Sequence, residues 1–566
     1  MTDARTLDRA RAHLQAGNLD EALASAKLAL AQDPGNIDAM LLLARILRRA
    51  NQNTVARQMY ETILSHFPHS AEAQAGLGAC YGAMRRYTDA VPRLRLAVEL
   101  NPDYFEAWCF LGEALIEQGH PREAVDCFER SHAIRPFNPI VLSKYLFHIA
   151  FDPRYDEQRI HDLNRDWAQG IEATVSPLQT AAIHDNEFRL KVGYLSDEFR
   201  EGVSARFMAP VLNQHDRNKF EIICYARNAA TDTMTQAMAE HSDHWRDVSA
   251  LSDAETATTI RDDGIDILVL PTSYRAESRV VMAYKPAPVQ VCYANRVSTT
   301  GMRSVDYMIT EAPTDPPGSD TYYTERLVRL SRANVYMPPD AIAPPGPPQC
   351  IATGQVTFGS FNHLGKLTED VISVWCRVLE AVPNSRLVLK SVNRFEDAGT
   401  RDWFEARFAA HGIAGDRLQF LAGDPDLASH LGRYGEVDIA LDPFPCNGGT
   451  TSCEALWMGV PVVTMKGDTF MSRQGANFLE RLGLTELIAE TPDSYVAAAQ
   501  RLAADPERLV TLRKALRRDA ESRLFDPVSH VRELEMAYQE MWRRYKSGGA
   551  TGPFSVSGDE IKAAAG

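Results

Sequence analysis

Three clusters in the second half of this 566-residue chain combine residue types that could hold a nucleotide diphosphate and help it leave. The first is the turn Asn447-Gly448-Gly449-Thr450-Thr451. Glycines let backbone approach a phosphate closely, and threonine hydroxyls add donors. A helix predicted from residue 452 would add unpaired N–H groups and the positive end of its dipole. The second cluster is Gly359-Ser360-Phe361-Asn362-His363-Leu364-Gly365-Lys366, whose lysine can take up charge on a leaving diphosphate without a divalent ion. The third is the pair His430 and Arg433. An imidazole face can stack on a base, and a guanidinium fork can hold its carbonyl. Each cluster also has a plainer reading: a helix-capping turn, a surface lysine and a solvated helix face. Asp424-Pro425-Asp426 has the spacing of a weak metal signal but reads as a helix-starting turn, so no metal or other cofactor is expected.

Strands must position these clusters. Residues 437–441 form a mostly apolar run that reads as a buried strand, stopped by Asp442-Pro443-Phe444-Pro445, and 462–465 read as the next strand. Upstream, 356–361, 386–390 and 418–421 read as strands and 369–381 as a helix. Helices are predicted at 492–502, 505–519 and 528–546. An earlier series of strands, 189–199, 220–226, 265–270, 289–293 and 307–310, is separated by helical sequence. Between the two series, 337–349 hold six prolines in thirteen residues, which excludes helix or central strand and reads as a stiff linker. Two parallel α/β lobes therefore face a cleft, with loops at the carboxyl ends of their strands.

The first 138 residues repeat. Pro34, Pro68, Pro102 and Pro136 are 34 residues apart, as are Ala22, Ala56, Ala90 and Ala124, and Ala10, Ala44, Gly78 and Gly112. Three registers with one period match four tetratricopeptide repeats, helix–turn–helix units that stack into a solenoid. Its concave face suits an extended protein partner; a spacer or dimerisation surface is the plainer use. Residues 139–187 read as a helical cap on this array.

Composition is that of a globular protein, 45% hydrophobic and 24% charged. A formal net charge of −15 argues against general nucleic-acid or anionic-membrane binding. No apolar run approaches the roughly 20 residues of a membrane span, and no signal peptide is visible. The nine cysteines lack pair or metal spacing and read as reduced, buried thiols of a cytoplasmic protein. The expected domains are repeats over 1–138, a cap over 139–187, a first lobe over 188–336, the linker over 337–349, a second lobe with closing helix over 350–546 and a disordered tail over 547–566.

A tetratricopeptide array followed by GYLSDEF, FGSFNHLGK, HLGRYGEVDIALDPFPCNGGTTSCEALWMGVPVVTM and MSRQGANFLERLGL resembles the O-GlcNAc transferase/SPINDLY family of protein glycosyltransferases. The short interlobe segment resembles the bacterial members. The resemblance covers residues 3 to 545 and implies a GT-B fold after the repeats, with inverting, metal-independent transfer from a nucleotide sugar such as UDP-GlcNAc to Ser or Thr of a protein. It also implies roles. Lys366 would stabilise the leaving diphosphate, with His363 nearby. His430 and Arg433 would hold the base, Gly448, Gly449, Thr450 and Thr451 the phosphates, and Glu454 the ribose.

Departures from the family concentrate on the sugar and acceptor side. Gly202 stands where the family has a histidine, Arg206 where it has another, Arg296 lies in a replaced loop, and Gly449 replaces the histidine of NGHTT. A glycine cannot accept a proton. Two added cations, Arg206 and Arg296, would suit a carboxylated sugar. Flagellin glycosyltransferases of the same layout, which the chain also resembles, use CMP-activated nonulosonic acids. A transfer-deficient nucleotide-binding interaction protein and a transferase acting on lipid or glycan are the alternatives from other classes.

Overall fold

The computed structural model describes residues 4–179, 189–333, 335–338, 342–343, 346–392, 394–548 and 552–556. The repeats form eight helices: α1 (Ala4–Gln15), α2 (Leu19–Gln32), α3 (Ile37–Arg49), α4 (Asn53–His66), α5 (Ala71–Ala83), α6 (Tyr87–Leu100), α7 (Phe105–Glu117) and α8 (Pro121–Ile134). The small residues of the 34-residue registers sit where paired helices touch. A Cβ at Gly78 would lie 2.6 Å from Leu94, and one at Gly112 would lie 2.7 Å from Phe128. The inter-repeat turns place capping residues: Asn36 accepts from the backbone N–H of Ala39 at 3.0 Å, and Ser70 from that of Ala73 at 3.2 Å. Two further helices, α9 (Pro139–His148) and α10 (Glu157–Glu172), cap the array and share one core with the first lobe, Tyr145 and Trp167 packing in the same cluster as Leu268 and Leu270.

The first lobe is an eight-stranded parallel sheet. Its strands are β1 (Leu190–Ser196), β2 (Phe220–Ala226), β3 (His244–Asp247), β4 (Ile267–Thr272), β5 (Val289–Asn295), β6 (Tyr307–Glu311), β7 (Arg326–Leu330) and, from the C-terminus, β14 (Phe554–Ser555), in the order β14-β7-β6-β5-β4-β1-β2-β3. The second lobe is a six-stranded parallel sheet of β8 (Val356–Ser360), β9 (Ser385–Lys390), β10 (Leu418–Leu421), β11 (Ile439–Leu441), β12 (Val462–Met465) and β13 (Ile488–Ala489), in the order β10-β9-β8-β11-β12-β13. Both orders are those of doubly wound nucleotide-binding sheets.

Two expectations are corrected. The closing helix, Pro527–Lys546, returns to the first lobe: Val531, Leu534, Tyr538 and Met541 are fully buried in one cluster with Val192 and Tyr194. The Tyr194 hydroxyl bonds Tyr538 at 3.2 Å, and Glu535 accepts from the backbone N–H of Asp216 at 2.6 Å. The tail is not wholly disordered, because β14 pairs with β7 and buries Val556; residues 549–551 and 557–566 lie outside the described residues. Residues 339–341 and 344–345 of the Pro-rich segment also lie outside them; Tyr336, just before the segment, is buried against Phe525.

Candidate active site

In the second sheet the chain winds one way through β8, β9 and β10 and the other way through β11, β12 and β13. The winding reverses between β8 and β11, which pair through Ile439 with Phe358 and Ala440 with Gly359. Doubly wound sheets bind ligands at this seam, outside the carboxyl ends of the strands. The loop after β8 carries Asn362, His363 and Lys366, and the loop after β11 carries Asp442 to Gly449, so the first and second sequence clusters, which flank the seam, are brought together by topology.

The contacts across the seam are direct. Lys366 Nζ donates to the carbonyl oxygen of Asn447 at 2.6 Å. The Thr451 hydroxyl donates to Asn362 Oδ1 at 2.9 Å. Buried Asp442 gathers the turn: Oδ1 accepts from the Gly448 N–H at 2.6 Å and from the Ser452 hydroxyl at 3.1 Å, and Oδ2 from the Thr464 hydroxyl at 2.7 Å. Burial pushes the Asp442 carboxyl up to about 6, against those donors and the charge of Lys366. The two glycines differ. A Cβ on Gly448 would lie 2.3 Å from Ser452 Oγ, whereas one on Gly449 would meet nothing within 4 Å. Gly449 caps the helix Thr450–Trp457 without a side chain, leaving open space at the helix start.

His363 serves this loop from behind. Its Nδ1 accepts from the Gly365 N–H at 3.1 Å, capping the short turn that carries Lys366. Its Nε2 stands 3.9 Å from Glu117 at the end of α7, and Glu117 also pairs with Arg394. Burial would raise the Glu117 carboxyl, but His363 and Arg394 outweigh it and hold it at about 2. The repeat array is thus joined to the loop that presents Lys366.

His430, Arg433 and Glu454 belong to one polar chain. Glu454 Oε2 accepts from His430 Nε2 at 3.1 Å, and His430 Nδ1 accepts from Lys390 Nζ at 2.6 Å. Lys390 pairs with Asp424 at 3.1 Å, and Asp424 pairs with Arg433 at 3.1 Å. Lysine has no acceptor, so the lysine bond fixes the proton of a neutral His430 on Nε2. Glu454 also accepts from the hydroxyls of Tyr434 at 3.3 Å and Tyr336 at 3.5 Å. Tyr336 ties the chain to the crossing between lobes. Asp426 caps the helix Leu427–Gly432 through the Ser429 N–H at 2.7 Å, the helix-starting turn read from sequence. Lys390 was missed by sequence reasoning, although a lysine ending a predicted apolar strand was the available signal. Asp442 was read only as part of a strand stop.

On the first lobe the two arginines do not stand as free cations. Arg206 donates to Glu201 at 2.8 Å. Arg296 is buried, pairs with buried Asp315, donates to the Tyr323 hydroxyl at 2.8 Å and the Thr310 hydroxyl at 2.6 Å, and lies 3.6 Å over the Phe470 ring. Each is already paired within the chain, so the two do not form a pair of free cations for a carboxylated nonulosonic donor. Gly202 caps the helix Val203–Gln214 in extended backbone, with no side chain to act as a base.

A family model described as glycosyl transferase family 41 matches residues 175–337 and 349–534, breaking at the Pro-rich segment. The chain belongs to glycosyl transferase family 41. Tetratricopeptide repeat models match 13–80 and 105–138. Among family 41 relatives, a probable UDP-N-acetylglucosamine–peptide N-acetylglucosaminyltransferase SPINDLY of Hordeum vulgare is 35% identical over 402 residues, 69% of this chain and 42% of that protein. The corresponding SEC protein of Arabidopsis thaliana is 32% identical, over 66% of this chain and 39% of its own length. The chain spans about two fifths of the length of these curated relatives. A solved structure, a mutant O-GlcNAc transferase of Thermobaculum terrenum, superposes with a TM-score of 0.82 at 35% identity, over 91% of this chain and 98% of that one. The helical solenoid followed by two parallel-sheet lobes is accordingly the GT-B arrangement of family 41.

Proposed function

We propose that the chain is an inverting, metal-independent protein O-glycosyltransferase that moves a sugar from a nucleotide diphosphate donor to a Ser or Thr hydroxyl. UDP-GlcNAc, the donor in its relatives' names, is the donor we assign. The observation that carries the reading is the meeting of Lys366 with the Asn447–Thr451 turn at the β8/β11 seam.

The diphosphate lies at the start of the helix Thr450–Trp457, where unpaired N–H groups and the helix dipole favour an anion. Lys366, Nζ redirected from the Asn447 carbonyl, neutralises the oxygen that leaves. The polar chain ending in Glu454 shapes the nucleoside side. The acceptor hydroxyl attacks the anomeric carbon as the bond to the diphosphate breaks. The electron pair leaves with the diphosphate, and the hydroxyl proton passes to it or to water, since Gly202 offers no base. A protein acceptor lies along the repeats, which reach the site through Glu117 and His363.

The nine buried, unpaired cysteines favour a reducing, cytoplasmic setting. Among the described residues no helix is long and apolar enough to cross a membrane. The test is turnover of UDP-GlcNAc with a Ser/Thr peptide mixture and with EDTA present. Glycopeptide formation unchanged by EDTA supports the reading. Donor binding without transfer to any peptide returns the chain to the nucleotide-binding class.

A further inference from the structure

The turn that would hold the diphosphate is gripped by a carboxylate with no counter-ion. Asp442 is 1% exposed, and the partners of its carboxylate are neutral: Oδ1 accepts from the Gly448 N–H and the Ser452 hydroxyl, and Oδ2 from the Thr464 hydroxyl. Its backbone carbonyl accepts from the Tyr495 hydroxyl at 3.0 Å. Two glycines leave room for the group, since a Cβ on Gly448 would lie 2.7 Å from Oδ1 and one on Gly475 would collide with Oδ2. Gly448 and Ser452 flank the start of the helix Thr450–Trp457, so one carboxylate holds the chain on both sides of the anion site.

The ionisable groups packed around Asp442 are Lys366, Cys446, Cys453 and Tyr495. Burial pushes both thiols and the Tyr495 phenol upward, so they are uncharged near neutral pH. Lys366 is the one cation among them, and its ammonium is bonded to Asn447 rather than to Asp442. Burying a negative charge without an ion pair favours the protonated form, and it pushes the Asp442 carboxyl up to about 6. A diphosphate at the helix start adds negative charge and draws the Lys366 ammonium to itself. Both changes favour the proton further.

We propose that Asp442 is a positioning residue that takes a proton from solvent as the donor's diphosphate binds, keeping its grip on the turn while withdrawing its charge from the site. The proton goes to Oδ2, which then donates to the Thr464 hydroxyl, a group that can accept as well as donate. Oδ1 still accepts from the Gly448 N–H and the Ser452 hydroxyl, so the turn keeps its shape. Lys366 then meets the diphosphate with no competing anion beside it. This counts most as the sugar departs and the diphosphate gains charge. The inference rests on the nucleotide-sugar reading of the seam.

The experiment is calorimetric binding of UDP-GlcNAc, whose diphosphate diester keeps one charge state over this range, in buffers of different ionisation enthalpy. The unaltered protein should take up about half a proton per donor at pH 6.5, and its affinity should rise about fivefold from pH 8 to pH 5.5. Asp442→Asn keeps the Oδ1 acceptor without the charge. It should lose the uptake and bind at pH 8 about as tightly as the unaltered protein does at pH 5.5. Asp442→Ala drops the acceptor and should weaken binding at both pH values. Thr464→Val removes one donor to the ionised carboxyl and should move the uptake to higher pH, which keeps the test open if Asp442→Asn fails to fold. Binding without proton uptake in the unaltered protein, or an Asp442→Asn variant that binds more weakly at pH 8 or keeps the parent's pH dependence, overturns the role of Asp442 and leaves the nucleotide-sugar reading intact. Absence of UDP-GlcNAc binding overturns both.

Discussion

Lys366 donates to the main-chain carbonyl of Asn447 at 2.6 Å, bridging the loops after two strands that are neighbours in the sheet and far apart in the chain. A diphosphate at the helix start would offer that ammonium a charged acceptor, a stronger bond than a neutral carbonyl. Lys366→Met should lower turnover about 10²–10³-fold, the cost of removing one preorganised group that stabilises leaving-group charge. The lysine is half-buried and donates to a backbone atom, so melting temperature should move little. Donor hydrolysis and a thermal melt on the same sample check both halves.

Lys390 tests the polar chain. Removing one member of a buried ion pair costs up to about 3–5 kcal/mol; Lys390 and Asp424 are both almost fully buried, and only the more exposed Arg433 is left to pair with Asp424 when Lys390 is removed. Lys390→Met should destabilise the second lobe strongly and raise the donor KM more than tenfold by freeing His430. Lys390→Met with Asp424→Leu should recover most of the stability without recovering the KM. Urea denaturation and donor kinetics separate the two effects.

The paired glycines should answer differently to the same change. Gly448→Ala forces a methyl onto Ser452 and Asp442 and should cost more than about 1 kcal/mol, with loss of UDP binding. Gly449→Ala meets open space and should stay within about 0.5 kcal/mol of the parent. Melting curves with and without UDP read this contrast.

Glu157, at the start of α10, accepts from the Phe470 N–H at 2.9 Å and stands 3.7 Å from Arg473, joining the cap of the repeats to the second lobe. Burial pushes its carboxyl up to about 7, with Arg473 opposing. A raised carboxyl binds its proton more tightly in the folded state. Its favourable contribution, up to about 3 kcal/mol, is complete below the unfolded value and is lost as pH rises through about 7. The melting temperature should therefore fall between pH 5 and pH 8, and Glu157→Gln should make that slope shallower. Asp442 and Asp197, each raised to about 6 by burial, leave a residual slope.

Glu117 has the opposite sign. Held at about 2 by His363 and Arg394, it contributes stability above its ordinary value that is lost as pH falls toward 2. Glu117→Gln should loosen α7 from the second lobe, measured as faster hydrogen exchange in the 363–366 loop, and should lower turnover while sparing UDP affinity.

The parts of the fold legible in sequence were those with strong periodicity. The 34-residue registers gave the repeats, and the apolar runs 220–226 and 462–465 became strands with the same bounds. β3, His-Trp-Arg-Asp, is a largely exposed edge strand with no apolar run to announce it. The amphipathic pattern of Pro527–Lys546 shows that a face is buried but not against which sheet, so its return to the first lobe was invisible. The site was legible where glycine, threonine and lysine cluster along the chain. It was illegible where charge is cancelled through space, as Asp315 does for Arg296, or relayed across strands, as Lys390 does for His430.

The most direct test of the seam is calorimetric affinity for UDP against UMP, in the unaltered protein and in Lys366→Met, with EDTA throughout. If the β-phosphate sits between Lys366 and the start of the helix Thr450–Trp457, the unaltered protein should bind UDP at least tenfold more tightly than UMP, and Lys366→Met should erase most of that difference while leaving UMP affinity unchanged. Equal affinity for UDP and UMP in the unaltered protein, or an undiminished preference in the variant, would contradict it.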